Sequence, residues 1–255
     1  DVSWILFLIV VALGGVFGVV VTLIARRFEF GDPADDASAG IKLTGIYTVF
    51  AVVLGFVIFS SWQFYLEASD SIRDEASSSS VINRTARALP AGMGDPVVQA
   101  LETYLSVASW QEWDELQAGQ VSRVGQVALQ NLNQAIFDVP AATDTSVANA
   151  QDNMMYYLGA VEQARGDRVF LAEDEDPEFV WALLAVGGLV TVFLSATLHI
   201  RSRTTHLQLV GSLSAIIAAS LFSVYALSNP FTGPFPVNPL PLQVALETVQ
   251  APIVK

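Results

Sequence analysis

The chain has 255 residues, 53% hydrophobic and 15% charged, with a formal net charge of −13. A positive mean hydropathy at this length argues for a membrane protein over a soluble domain. Without cysteine there are no disulfides, thiolate metal sites or cysteine nucleophiles, and the acidic balance, with no basic stripe, argues against a nucleic-acid partner.

Crossing a hydrocarbon core of about 30 Å takes about 20 apolar residues in a helix. Four uncharged stretches meet that length: Trp4 to Ala25, Leu43 to about Leu66, Phe179 to Leu198 and Leu207 to Ser228. The pattern predicts an all-α integral membrane protein with lipid as its solvent. Its four transmembrane helices form a 2+2 arrangement around a helical soluble insert. The expected parts are a first pair (1–66), an acidic helical domain (67–178), a second pair (179–228) and a Pro-rich tail (229–255). The chain starts at Asp1. Residues 4–25 are too long for an ordinary signal core and are followed by Arg26 and Arg27, so they read as a retained span.

The first loop opens with Arg26 and Arg27 and ends with Lys42. Asp32, Asp35 and Asp36 lie inside it but count little in the positive-inside rule. The loop between the third and fourth spans carries Arg201 and Arg203 and no acid, so both short loops are expected in the cytoplasm. Both termini and the insert are then extracytoplasmic. Trp4, Trp62, Phe64, Tyr65, Phe179, Trp181 and Tyr225 fall at the outer ends of the spans, as an interfacial aromatic belt would.

Residues 64–178 hold 19 acidic and 6 basic side chains and so carry the whole net charge. Alanine, leucine, glutamine and glutamate dominate this segment, and no strand alternation is present. The second span is expected to continue through Glu75 toward Leu89 and to break at Leu89–Pro96. Helices are predicted over Val97–Leu116, Ser122–Phe137 and Ser146–Arg165, with a linker at Val139–Asp144. Asp176 and Pro177 suit the cap and first turn of the third span.

No Asp, Glu, Lys, Arg or His lies inside a span, which argues against proton relays and voltage sensors. The spans' hydroxyls, such as Thr191, Ser195 and Ser220, either bond to their own helix backbone or line a pore with apolar rings. Small residues at four-residue spacing, Gly14 with Gly18 and Ser214 with Ala218, predict close helix packing, within one subunit ahead of a contact between subunits. Arg84 and Arg87 share a helix face with Glu75 nearby, so these three form either an anion site or structural ion pairs with the domain's acids.

Asn83-Arg84-Thr85 matches a glycosylation pattern that is common by chance, and Glu173–Asp176 lacks the ligand alternation of a calcium loop. Glu112, Asp114 and Glu115 do not make a paired-carboxylate site. His199 and His206 read as interfacial side chains at the ends of a loop, and less readily as haem or metal ligands. No cofactor motif and no catalytic cluster is found, so an enzyme is not expected. After the fourth span, Asn229–Pro241 is too rich in proline for a helix. Its two Phe residues are expected at the membrane interface or on the outer domain, with a short helix over Leu242–Val249 after them.

Four features carry a family resemblance: Glu75-Ala76 with Arg84 and Arg87–Pro90; Tyr104 followed by Glu112-Trp113; Pro230-Phe231-Thr232-Gly233 after the last span, with a later Pro-Leu pair; and the span layout itself. Together they resemble a bacterial group of bestrophin-like membrane proteins. The resemblance covers nearly the whole chain and implies a place in a bacterial cytoplasmic membrane. It also implies kinship with pentameric anion channels that have apolar, aromatic pores. Here the candidate pore-lining residues are Tyr47, Phe50, Phe56 and Phe59 of the second span. The kinship implies cytoplasmic termini and a cytoplasmic helical domain, opposite to the sidedness read from the loop charges. Two functions stand side by side: a homo-oligomeric channel, and an accessory or scaffolding subunit of a larger membrane complex.

Overall fold

The computed structural model describes residues 2–28, 36–90, 92–120, 122–140, 145–173, 178–198 and 200–251. Among these the regular structure is helical. Helix α1 is Val2–Arg27, α2 Asp36–Arg87, α3 Asp95–Ser106, α4 Glu112–Gln117, α5 Arg123–Phe137, α6 Thr145–Glu173, α7 Glu178–Thr197, α8 Arg203–Ser228 and α9 Leu240–Gln250. Four of them, α1, α2, α7 and α8, are long and apolar enough to cross a membrane. The chain divides into two compact units. One holds residues 1–63, 175–228 and 233–235, and the other holds 64–174, 229–232 and 236–255.

In the first unit α1 lies along α8, and α7 packs against both. The small residues make this possible. A Cβ built on Gly18 would stand 2.7 Å from both the Ser214 Cβ and the Val210 carbonyl oxygen, and Gly14 is covered by Ala218. The small faces therefore meet within one chain. The hydroxyls serve their own helices: Thr191 donates to the Gly187 carbonyl at 2.7 Å, Ser195 to Thr191 at 2.7 Å and Ser220 to Ile216 at 2.9 Å. Trp4 stacks edge-on against Phe235 with ring centroids 5.1 Å apart, and Trp181 against Tyr225 at 6.4 Å. Outward faces stay apolar, with Leu8, Leu13, Val186 and Ile216 all exposed, as lipid-facing helices require.

The second unit is a helical bundle around Ile72, Ile82, Leu101, Leu105, Leu132, Ile136, Met154 and Leu158. Helix α2 reaches Arg87, close to the break expected at Leu89. The helix expected over Val97–Leu116 is not uniform. It runs as α3, then a π-helical turn at Val107–Gln111, then α4. Helix α6 continues eight residues past the expected Arg165, because Arg168 and Leu171 remain on its buried face. Helix α9 packs on α3 and buries Leu242, Ala245, Leu246 and Val249. The Asp176–Pro177 cap, most of the Glu173–Asp176 cluster, His199 and the 141–144 part of the linker lie outside the described residues.

Candidate functional site

Two features stand out: a buried charge network in the second unit and an uncharged open helix face in the first. The network begins on α2 with Glu75, which is 0% exposed. Tyr104 of α3 donates its phenol proton to Glu75 Oε1 at 2.6 Å. Arg168 of α6 donates from Nε to Glu75 Oε2 at 2.9 Å and from Nη2 to Glu112 Oε2 at 2.9 Å. Arg165, one turn earlier on α6, donates from Nη2 to Glu112 Oε1 at 2.5 Å and from Nη1 to Gln126 Oε1 at 2.9 Å. Two carboxylates and two guanidinium groups thus cancel in charge and tie α2, α3, α4, α5 and α6 together.

The local sequence builds this arrangement. The π turn widens the helix just before Glu112, and one inserted residue rotates the downstream helix by about 100°. Helix α5 approaches through Gly125, where an added Cβ would stand 2.6 Å from the Glu112 carboxyl carbon. Burial, then the Glu75 charge, pushes the Tyr104 phenol well above its usual pKa. Burial opposes the charge on Arg168, but Glu75 and Glu112 outweigh it and its pKa is raised. Arg168 Nη1 and Ser79 Oγ are buried without a partner among the described residues. Both oxygens of Glu75 and of Glu112 accept hydrogen bonds, so the cluster is a charge-balanced clamp between helices.

The candidate pore residues separate. Tyr47 turns toward α7, its hydroxyl 3.0 Å from Ser195 Oγ. Phe50 also turns inward, its ring lying over Gly187, where an added Cβ would come within 2.6 Å of Phe50 Cε2. Phe56 and Phe59 stay 72% and 60% exposed, on one face with Val49 and Val52.

The candidate ion-pair residues separate too. Glu75 pairs with Arg168, not with Arg84 or Arg87. Arg87 donates to Asn83 Oδ1 at 2.9 Å and to the Val249 carbonyl, while Arg84 is exposed. Asn83 is buried, which removes it as a glycan acceptor in the folded chain. Trp113 stacks on Phe231 with centroids 5.8 Å apart. The Val237 amide closes the tail onto the Pro230 carbonyl at 2.8 Å. Gly233 is half-buried in the first unit.

Sequence reasoning missed Arg165 and Arg168. The signal was present: Leu158, Val161, Arg165, Arg168 and Leu171 recur at three- and four-residue steps, which places two arginines on an apolar face. His206, expected at the interface, is instead 1% exposed.

A family model described as Bestrophin-like domain matches residues 4–242. No curated protein sequence matches the chain. Its fold is similar to that of a variant of a bacterial Bestrophin homolog from Klebsiella pneumoniae, with a TM-score of 0.68 and 18% identity over 94% of this chain and 97% of that one. The same homolog solved by zinc phasing gives a TM-score of 0.65 and 17% identity over 93% and 95%. A variant described only as a membrane protein gives 0.62 and 16% over 98% and 100%.

Proposed function

This chain belongs to the bestrophin-like family, and we propose that it forms a homo-oligomeric ion channel whose pore is lined by the open face of α2. The observation that carries this reading is a stripe of Val49, Val52, Phe56 and Phe59. It recurs at three- and four-residue steps, holds no charge and, among the described residues, is covered by no other part of the chain. Copies arranged with this stripe inward make an apolar ring of the kind that gates by dewetting. Tyr47 and Phe50 anchor the opposite side of α2 and set its rotation.

The resemblance implies an anion as the permeant ion. The charge of the insert works against it. Glu67, Asp70, Asp74 and Asp167 line a groove of about 300 Å³, and two of the insert's six arginines are consumed by buried glutamates. An acidic surface depletes anions and concentrates cations near a pore mouth. The sign is therefore measured directly: replacing chloride by a large impermeant anion shifts the reversal potential only if chloride carries the current.

Bilayer reconstitution of a verified oligomer tests the channel itself. Phe56→Ala and Phe59→Ala are expected to raise unitary conductance by widening the ring, whereas Phe50→Ala is expected to lower thermal stability. A verified ring that never conducts would end this reading. Purification as a heteromeric particle would support an accessory or scaffolding subunit instead.

A further inference from the structure

The start of α8 carries a buried histidine with a neighbour at each ring nitrogen. His206, in the first turn of α8, is 1% exposed. Arg26 Nη1, at the end of α1, lies 3.1 Å from its Nδ1, and the Ser195 carbonyl oxygen of α7 lies 3.2 Å from its Nε2. A guanidinium only donates and a carbonyl only accepts. Both contacts are therefore hydrogen bonds in one form alone: the neutral imidazole, with its proton on Nε2 and its lone pair on Nδ1. Arg26 Nη1 also donates to the Ile200 carbonyl at 3.3 Å, so the histidine and the turn share one guanidinium.

We propose that His206 is a proton-sensitive latch joining α1, α7 and α8, closed when the imidazole is neutral and released when it takes up a proton. Protonation at Nδ1 removes the acceptor that Arg26 uses and sets an imidazolium directly against a guanidinium. At 1% exposure no water can insert without opening the junction. The charged groups around it do not compensate. Helix α1 presents Arg26 and Arg27, the turn Arg201 and the start of α8 Arg203. The only charge on α7, Glu178, stands at its far end. Among the described residues no carboxylate faces the ring.

The proton comes from bulk solvent, and the product is an imidazolium that still donates from Nε2 to the Ser195 carbonyl of α7 but is separated from Arg26 of α1. Any effect on conduction rests on the channel reading. The latch itself does not.

The chain has two histidines and no cysteine, which makes the test clean. Ala25 is 2% exposed beside Arg26, so Ala25→Cys installs a single thiol at the junction. Its alkylation rate is followed in detergent from about pH 7.5 to about pH 5, across the ordinary imidazole range and corrected for thiol ionisation with a free peptide. In the A25C and A25C/H199Q proteins the corrected rate is expected to rise about tenfold on acidification. In A25C/H206Q, whose amide can accept from Arg26 and donate to Ser195 without titrating, it is expected to stay flat.

Equal acceleration with and without His206, or no acceleration in either, overturns the latch. Histidine-selective carbon and nitrogen NMR of the unsubstituted chain provides a second reading independent of folding in the variants. The Nε2–H tautomer is expected at neutral pH, and the Nδ1–H tautomer would overturn the assignment. A verified oligomer that never conducts, with pH-dependent alkylation, would leave the latch standing and end the channel reading.

Discussion

Arg168 is held by two glutamates on different helices, so removing it strands Glu75 and leaves Glu112 to Arg165 alone. Arg168→Met should leave Glu75 without a cation at 0% exposure. Breaking a buried pair from one side costs roughly 3–5 kcal/mol, enough to show as a large fall in the urea midpoint of the insert. Arg165→Met should cost less, since its side chain is 8% exposed and water can reach part of what it leaves.

Tyr104 gives the network a pH signature. Its folded pKa is raised, so the folded chain keeps this proton at pH values where the unfolded chain has lost it. Its contribution to stability is complete below the unfolded value of about 10 and falls as pH rises from there toward the folded value. Alkaline melting curves should steepen above about pH 10, and Tyr104→Phe should flatten them while lowering stability at neutral pH through the lost bond to Glu75.

At the level of elements, the π turn and the glycine contacts are the parts a single change would break. Deleting Trp110, which is 58% exposed, would let the turn close into an ordinary α-helix. Everything after it would then rotate by about 100° relative to α3, and Glu112 would leave the arginines. The expected outcome is a loss of cooperative unfolding in the insert, checked by circular dichroism. Gly18→Leu should separate α1 from α8, since even a Cβ meets Ser214 and Val210 at 2.7 Å.

These elements differ in how readable they were. The spans are legible because four uncharged runs of about 20 residues fit a bilayer and exceed what a soluble core would bury, and α5 and α9 are legible from spacing and breakers. The π turn was not, because an extra residue in a helix leaves no mark in composition. The arginine clamp was not, because a buried cation declares itself only through the apolar residues flanking it on α6. Aromatic identity does not encode which side of α2 faces α7, so the sequence alone does not separate Tyr47 and Phe50 from Phe56 and Phe59.

At the scale of the whole molecule, sidedness is a testable consequence of loop charge. By the positive-inside rule the basic loops at Arg26–Arg27 and Arg201–Arg203 predict an extracytoplasmic insert, while the resemblance to bestrophin channels implies the reverse. An exposed cysteine replacing Ser77 of α2 should react with a membrane-impermeant maleimide in intact cells. Labelling only after lysis would turn the topology over.

The second unit has a further consequence for how the protein is made. Its core is closed by α9, which lies after α7 and α8 in the chain. At translation rates of about 5–20 residues per second, the ribosome needs roughly 3–13 s to pass from the end of α6 to the start of α9. During that interval the surface of α3 that α9 will cover stays open while two spans enter the bilayer. Nascent insert is then a natural client for whatever holds unfinished chains, and a stop codon after Ser228 should yield a protein that inserts normally yet is degraded.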